Sequence, residues 1–463
     1  MTRASIVLLS EARGEFLLVE RLREALTRRS LPTRHITALA SDLSAEERLR
    51  TSGLDVLDLQ PEYADAMCLS DSGLSEAIDR EQGMLGLNLR RLWQADIRSW
   101  REGCPDGEMA RIALGYLLAL RRILEDEQPL GLWGEDGGHL LKQLAYSLCD
   151  HNGVQLWFLW ALPLPGRVVP YSDVFVSNDR AELERFEPTA DELAYAETVI
   201  GDLRSRRIEY AFPRDMAMSP RRAVNFLQLL IRRYATRPPG AESLHPVRFA
   251  QLYLQQRLNG ARLRRLYHPV GDRPFVFYPV HVARDTQISV RAHQWENQLS
   301  LIEHIAGALP FGYELAIKEH PAQIGALPPA GLEALLRRCQ NIRLLDPGIH
   351  AHAILTECAA VATINSTTGF EALCFGKPVV TFGHSPYRGL GLTFDVVDPF
   401  GSPALFLAAL RSRGPAADEV ARYVAFLYRR SAPGFSLSDN GGDQNVENYA
   451  AQLAQQFERS SSA

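Results

Sequence analysis

Lysine is nearly missing from this chain. Of its 50 basic residues only Lys142, Lys318 and Lys377 are lysines. Genome base composition accounts for such a bias, yet Lys318 and Lys377 fall in segments singled out below. Cysteine is scarce too. There are six, none in a C-x-x-C pair, which argues against a zinc ribbon or a dithiol centre and reads as reduced, buried thiols. No stretch approaches the roughly 18 apolar residues of a membrane span. The opening apolar run, Ile6–Leu9, turns polar by Ser10 and is too short for a secretory core. H-E-x-x-H, D-x-D, the Walker lysine pattern and a G-x-G-x-x-G turn after the first strand are all absent. No metal or other cofactor is therefore expected to be required. The net charge of −5 disfavours a nucleic-acid-binding protein. The expected location is the cytoplasm, with peripheral contact at the inner membrane as the alternative.

What is present is ordinary globular material: 463 residues, 46% hydrophobic and 23% charged, enough for two domains or more. Short apolar runs alternate with segments of helical periodicity. Ile6–Leu9, His35–Leu39, Leu54–Leu59, Leu130–Trp133 and Gly153–Leu159 read as strands. Leu85–Trp100, Ala110–Glu125 and Leu140–Asn152 read as helices. A second alternating block begins near Arg273. The pattern predicts an α/β protein: two Rossmann-like doubly wound domains facing a cleft, with a helical connector and C-terminal helices. The expected boundaries are 1–180 for the first domain, 181–272 for the connector, 273–430 for the second domain and 431–463 for a C-terminal helix and tail. The connector is arginine-rich, at 221, 222, 232, 233, 257, 262, 264 and 265. Those charges suit a solvated helix face, an anionic membrane surface or an acidic glycan.

Function in such an architecture belongs to the loops after the strands. Asn365-Ser366-Thr367-Thr368-Gly369-Phe370-Glu371 joins a buried strand to a helix start. Main-chain N–H groups, hydroxyls and the helix dipole make that turn a phosphate site, with Gly369 permitting close approach. The same turn is equally readable as an ordinary helix cap. Glu371 suits either the dipole or a ribose diol. In Lys318-Glu319-His320-Pro321 the His-Pro step stops a strand and holds His320 at the sheet edge, where an imidazole can meet a phosphate. Gly134-Glu135-Asp136-Gly137-Gly138 places two carboxylates after a strand of the first domain, as base or nucleophile. Gly376-Lys377-Pro378 reads as a structural turn. The loop His384-Ser385-Pro386-Tyr387-Arg388-Gly389 borders the cleft, with His384, Tyr387 and Arg388 expected to contact an anionic substrate.

Taken together, Lys318-Glu-His-Pro, Asn365-Ser-Thr-Thr-Gly-Phe-Glu-Ala-Leu, Gly376-Lys-Pro-Val-Val-Thr-Phe-Gly and Tyr387-Arg-Gly-Leu-Gly-Leu-Thr resemble the capsule polysaccharide biosynthesis family, which includes bacterial Kdo transferases. The resemblance is best over 275–400. Glu135-Asp136-Gly137, His320-Pro321 and Ser366-Thr367 are also similar to the three short motifs of bacterial sialyltransferases with the GT-B fold. The resemblance implies a metal-independent GT-B glycosyltransferase of surface polysaccharide, acting on a glycan or lipid-linked glycan acceptor with a CMP-linked keto sugar acid as donor. Asp136, with Glu135, would be the acidic catalyst. His320, Pro321, Lys318 and the turn Asn365 to Gly369 would hold the nucleotide phosphate, with Glu371 at the ribose. Leu390 stands where capsule Kdo transferases carry Trp, which leaves the donor sugar open. A UDP- or GDP-sugar transferase, a nucleotide-sugar epimerase and a non-catalytic glycan-binding protein on the same fold are the alternatives.

Overall fold

The structure is a computed structural model, described over residues 5–10, 13–37, 55–100, 103–134, 137–161, 163–173, 175, 178–208, 246–434 and 442–461. Two sheets organise it. The first contains β1 (Ile6–Ser10), β2 (Thr33–Thr37), β3 (Gly131–Trp133), β4 (Gln155–Ala161), β5 (Arg167–Tyr171) and β13 (Ala432–Pro433), in the order β13-β5-β4-β3-β1-β2. Its β2-β1-β3-β4 portion is parallel, whereas β5 and β13 are antiparallel additions. The second contains β6 (Tyr267–His268), β7 (Phe275–Pro279), β8 (Glu314–Lys318), β9 (Ile342–Leu345), β10 (Ala360–Thr363), β11 (Val379–Thr381) and β12 (Phe394–Asp395). All its pairs are parallel, in the order β12-β11-β10-β7-β8-β9-β6. Buried strands such as Ile6–Ser10 and Glu314–Lys318 are covered on both faces, which is why they read as unbroken apolar runs.

Several expectations need correction. The second sheet starts at Tyr267, not near Arg273, because β6 pairs with β9. Leu54–Leu59 is no strand: residues 51–54 lie outside the described residues, and only Val56 bridges to His35. The single helix expected over Leu85–Trp100 is three. Gly86, in the left-handed region at φ 64°, ends helix Asp71–Leu85, and the Asn88 side chain then caps Leu89–Ala95. Helix Ile97–Trp100 follows. Periodicity carried the reading across a glycine that terminates the helix. The connector is helical at Arg180–Arg185, Ala190–Arg204 and Pro246–Leu263. Arginines 221, 222, 232 and 233 lie outside the described residues. Of the others, Arg257 donates to the Tyr253 hydroxyl and Arg262 pairs with Glu333, as solvated helix faces do.

The chain end returns to the first lobe. Strand β13 extends the first sheet, and helix Gly442–Ser461 packs Val446, Tyr449, Ala450 and Leu453 against Ile6, Leu8, Trp133 and Trp157. The opposite face of that sheet carries helices Asp106–Glu127 and Leu140–Asn152. Burial pushes the Cys149, Cys358 and Cys374 thiols up to about 12, which leaves them unreactive at neutral pH.

Helix Asp106–Glu127 meets helix Gln60–Met67 at Gly115, where an added Cβ would lie 2.7 Å from the Tyr63 Cα. Backbone cannot swing aside as a side-chain tip can. Gly115→Ala is expected to lower stability by about 1–3 kcal/mol, seen as a drop in the urea midpoint. An unchanged midpoint would show that the two helices separate freely.

Candidate functional site

In open α/β sheets, ligands sit beyond the carboxyl ends of the strands, where the strand order reverses. Here the reversals fall between β1 and β3 and between β7 and β10. The second reversal gathers most of the expected residues. Register places Pro279 of β7 beside Lys318 of β8, and the Val280 N–H donates to the Lys318 carbonyl at 2.9 Å. His281 and His320 each stand two residues past that pair, so the parallel register brings two imidazoles to one edge. His281 Nε2 lies 3.4 Å from Thr363 Oγ1 at the end of β10, and the same hydroxyl accepts the Ser366 N–H at 3.1 Å. His320 and the serine turn therefore share one rim.

Both imidazoles are neutral. Burial holds His281 down at about 3, helped by the nearby His320. Burial also lowers His320, with Lys318 adding to the effect. His320 Nδ1 accepts the Ala322 N–H at 3.2 Å. The neutral ring then carries its proton on Nε2, which makes that atom a donor.

The Ser366 turn is tightly built. Ser366 Oγ accepts the Thr368 N–H at 3.1 Å and caps helix Thr367–Cys374. The Ser366 carbonyl accepts both the Gly369 N–H at 2.9 Å and the Tyr387 hydroxyl at 2.7 Å. Asn365 is buried; its Nδ2 donates to the Gln287 carbonyl at 2.7 Å while its Oδ1 has no protein partner. Thr367 is exposed and Thr368 half-buried.

Five residues serve other ends than those expected. A Cβ on Gly369 would lie 2.2 Å from the Tyr387 hydroxyl, so this glycine makes room for a tyrosine rather than for a ligand. Tyr387 is buried, and Arg388 donates to the Gly383 carbonyl at 3.1 Å and the Val396 carbonyl at 2.8 Å; both brace the loop. Lys318 is buried, donates to the Ile349 carbonyl at 2.8 Å, and is brought down to about 8 by burial, against the pull of Glu371 and Asp346. Glu371 turns inward, 3.4 Å from His352 Nε2, and does not present its carboxylate to the rim. Pro321 opens a short 3-10 turn, which the buried Glu319 carboxylate steadies by accepting N–H groups of Gly325 and Leu327. Lys377 donates to the Thr356 and Cys358 carbonyls, the structural turn expected of it.

Glu135 and Asp136 lie outside the described residues. Their flanks are defined. Gln143 Nε2 donates to the Gly137 carbonyl at 2.5 Å, and Lys142 is buried beneath Gly137. A Cβ on Gly138 would lie 3.2 Å from Ser289 Oγ, in the loop after β7. The lobes also touch where the Arg291 guanidinium stacks 4.1 Å over Trp160 and where His384 meets Phe175 at 5.1 Å. Asn178 bridges the Ser385 and Arg388 carbonyls. The loop after β3 thus faces the edge that holds the serine turn. His281, Thr363, Gln287 and Arg291 were not picked out from the sequence. For His281 the available signal was a second strand ending, like β8, in a histidine two residues on.

Two Rossmann-like lobes thus meet across their strand ends, an α/β class in which the loops after the strands form the shared edge. Residues 233–399 match the family described as capsule polysaccharide biosynthesis protein. A curated relative, Protein FixF of Sinorhizobium fredii, is 29% identical over 174 residues, which are 36% of this chain and 40% of that protein's length. The chain is similar to Thermosulfurimonas dismutans KpsC, beta Kdo 2,7 transferase, at 13% identity and TM-score 0.42, covering 96% of this chain and 99% of that one. UDP-GlcNAc 2-epimerase from Neisseria meningitidis is similar at 10% identity and TM-score 0.26, covering 98% and 100%.

Tyr387→Phe frees one bond on the Ser366 carbonyl and should cost about 1 kcal/mol, measurable by chemical unfolding; no loss would remove Tyr387 as the brace of the turn. A second test is pH. Unfolded histidines protonate near 6.5, whereas folded His281 and His35 resist until about 3. The unfolded chain then binds more protons in that window, so stability falls as pH drops below 6.5. His281→Gln should flatten the slope between pH 6.5 and about 5; an identical slope would mean that folding does not hold His281 neutral.

Proposed function

We propose that the chain is a glycosyltransferase of bacterial surface polysaccharide synthesis that moves a keto sugar acid from a CMP-linked donor to a glycan acceptor. The supporting observation is the shared rim of His281, His320, Thr363 and the Ser366 turn at the second sheet's reversal. A departing CMP carries a phosphate monoester anion. Helix Thr367–Cys374 presents its positive end to that charge, and the exposed Thr367 hydroxyl and His320 Nε2–H are donors. Neutral donors bind the anion without the repulsion a buried cation pair would set up. In this reading the Asn365 Oδ1 accepts a hydrogen bond from a hydroxyl or amine of the donor.

Across the cleft, Asp136 is the base or nucleophile, with Glu135 beside it in sequence. The turn that carries them is anchored at Gly137 and apposed at Gly138 to the loop after β7. The acceptor binds on that first-lobe side. Transfer by these groups needs no divalent cation, so activity should survive EDTA. Among the described residues no helix is long and apolar enough to cross a membrane, in keeping with an enzyme that meets its acceptor at a surface.

The test is a nucleotide panel followed by two variants. CMP should raise the melting temperature more than UDP or GDP. His320→Ala should weaken CMP binding by about tenfold, the worth of one charge-assisted hydrogen bond. Asp136→Asn should abolish transfer and leave CMP binding intact. Stabilisation by UDP alone would replace the donor, and no stabilisation by any nucleotide would overturn the reading.

A further inference from the structure

A second recess lies away from the cleft, on the face of the first sheet that carries the final helix. It has a volume of about 530 Å³, within the size range of small-molecule sites. Helix Gly442–Ser461 seats its apolar side on Trp133 and Trp157, and a neighbouring stripe, Gln452, Gln455, Gln456 and Arg459, faces the recess at helical spacing. Gln155 of β4 also lines it, as do Glu182 and Arg430, 3.3 Å apart as an ion pair. Arg459 has no ion-pair partner among the described residues.

The lining selects a ligand class. Each glutamine amide both donates and accepts, as a sugar hydroxyl does, and four of them meet here. A guanidinium pairs with a planar carboxylate through two parallel hydrogen bonds. Two helices, Ala417–Arg430 and Gly442–Ser461, bring their carboxyl-terminal turns to the recess. Their dipoles oppose anions, a compact dianion such as phosphate most of all, so a carboxylate is held only where Arg459 meets it, while their last carbonyls suit hydroxyl donors. We propose that this recess binds an acidic oligosaccharide, a stretch of uronic- or ulosonic-acid-containing glycan, apart from the transfer cleft. A transferase holding its polymer there would keep hold of the chain between additions. The site itself rests on the recess and stands whether or not the donor is CMP-linked.

Isothermal titration of the full chain with oligogalacturonate, maltohexaose and inorganic phosphate tests it, with CMP titrated in parallel. Oligogalacturonate should bind in the millimolar range or tighter, and more weakly as salt rises, while maltohexaose and phosphate bind far less. Gln456→Ala combined with Arg459→Glu should weaken oligogalacturonate by about tenfold with the melting temperature and CMP affinity unchanged. Gln452→Ala should act in the same direction. No oligogalacturonate binding, equal binding of maltohexaose, preference for phosphate, or full binding by the double variant would each overturn the proposal. Loss of CMP binding in the wild-type chain, with oligogalacturonate still bound, would strike the donor assignment alone.

Discussion

The nearness of Tyr387 to Gly369 is the constraint on which the second lobe's edge depends. The tyrosine hydroxyl reaches the Ser366 carbonyl only because residue 369 has no Cβ. That bond ties the loop after β11 to the turn after β10, and two strand ends become one rigid rim. Thr363 holds the same turn from below by accepting the Ser366 N–H, and Ser366 holds it from within by capping the helix. A turn fixed on three sides holds its dipole and hydroxyls in one orientation. Electrostatic stabilisation depends on that preorganisation.

The buried charges behind the rim belong to the same design. Lys318, Glu371 and His352 lie beneath it and are paired inwardly or with backbone carbonyls, so they do not compete for a ligand. The buried Glu371 offsets part of the cost of burying the Lys318 charge. The rim above is left with neutral groups: two imidazoles, hydroxyls and main-chain donors. The positive field then comes from the helix and from Lys318 one layer down.

How much of this could be read from the chain follows from what is local in it. The Asn365–Glu371 segment announces itself because strand, turn and helix start are consecutive. The His320-Pro321 step does so because proline alone ends the strand. Leu140–Asn152 is bounded as expected because Gly153, at φ 67°, stops it. His281 offers only a faint signal, a histidine two residues past a strand end as in β8, because what brings it to His320 is the lateral register between β7 and β8. Tyr387 and Arg388 lie in the right loop, yet their polar atoms turn to the backbone: a guanidinium near a cleft looks the same in sequence whether it binds a ligand or a carbonyl. Leu85–Trp100 misled because apolar periodicity resumes after Gly86 as if the helix had continued.

The return of the C-terminal segment to the first lobe has a mechanical consequence. Tyr423, on helix Ala417–Arg430, donates to the Pro386 carbonyl in the loop that braces the serine turn. The same helix packs along Ala190–Arg204, with Tyr195 stacked on Tyr428 at 4.0 Å, and then hands the chain to β13 in the first sheet. Arg167 of β5 donates to the Tyr428 and Ser431 carbonyls, fastening that crossing to the first lobe. One helix therefore touches the loop that braces the serine turn, the connector and the first sheet. A hinge between two lobes with a single linker can swing freely, whereas two crossings restrict the motion to rotation about the line joining them. Any rotation of one lobe against the other would carry Ala417–Arg430 with it, and with that helix the Arg429 and Arg430 wall of the recess.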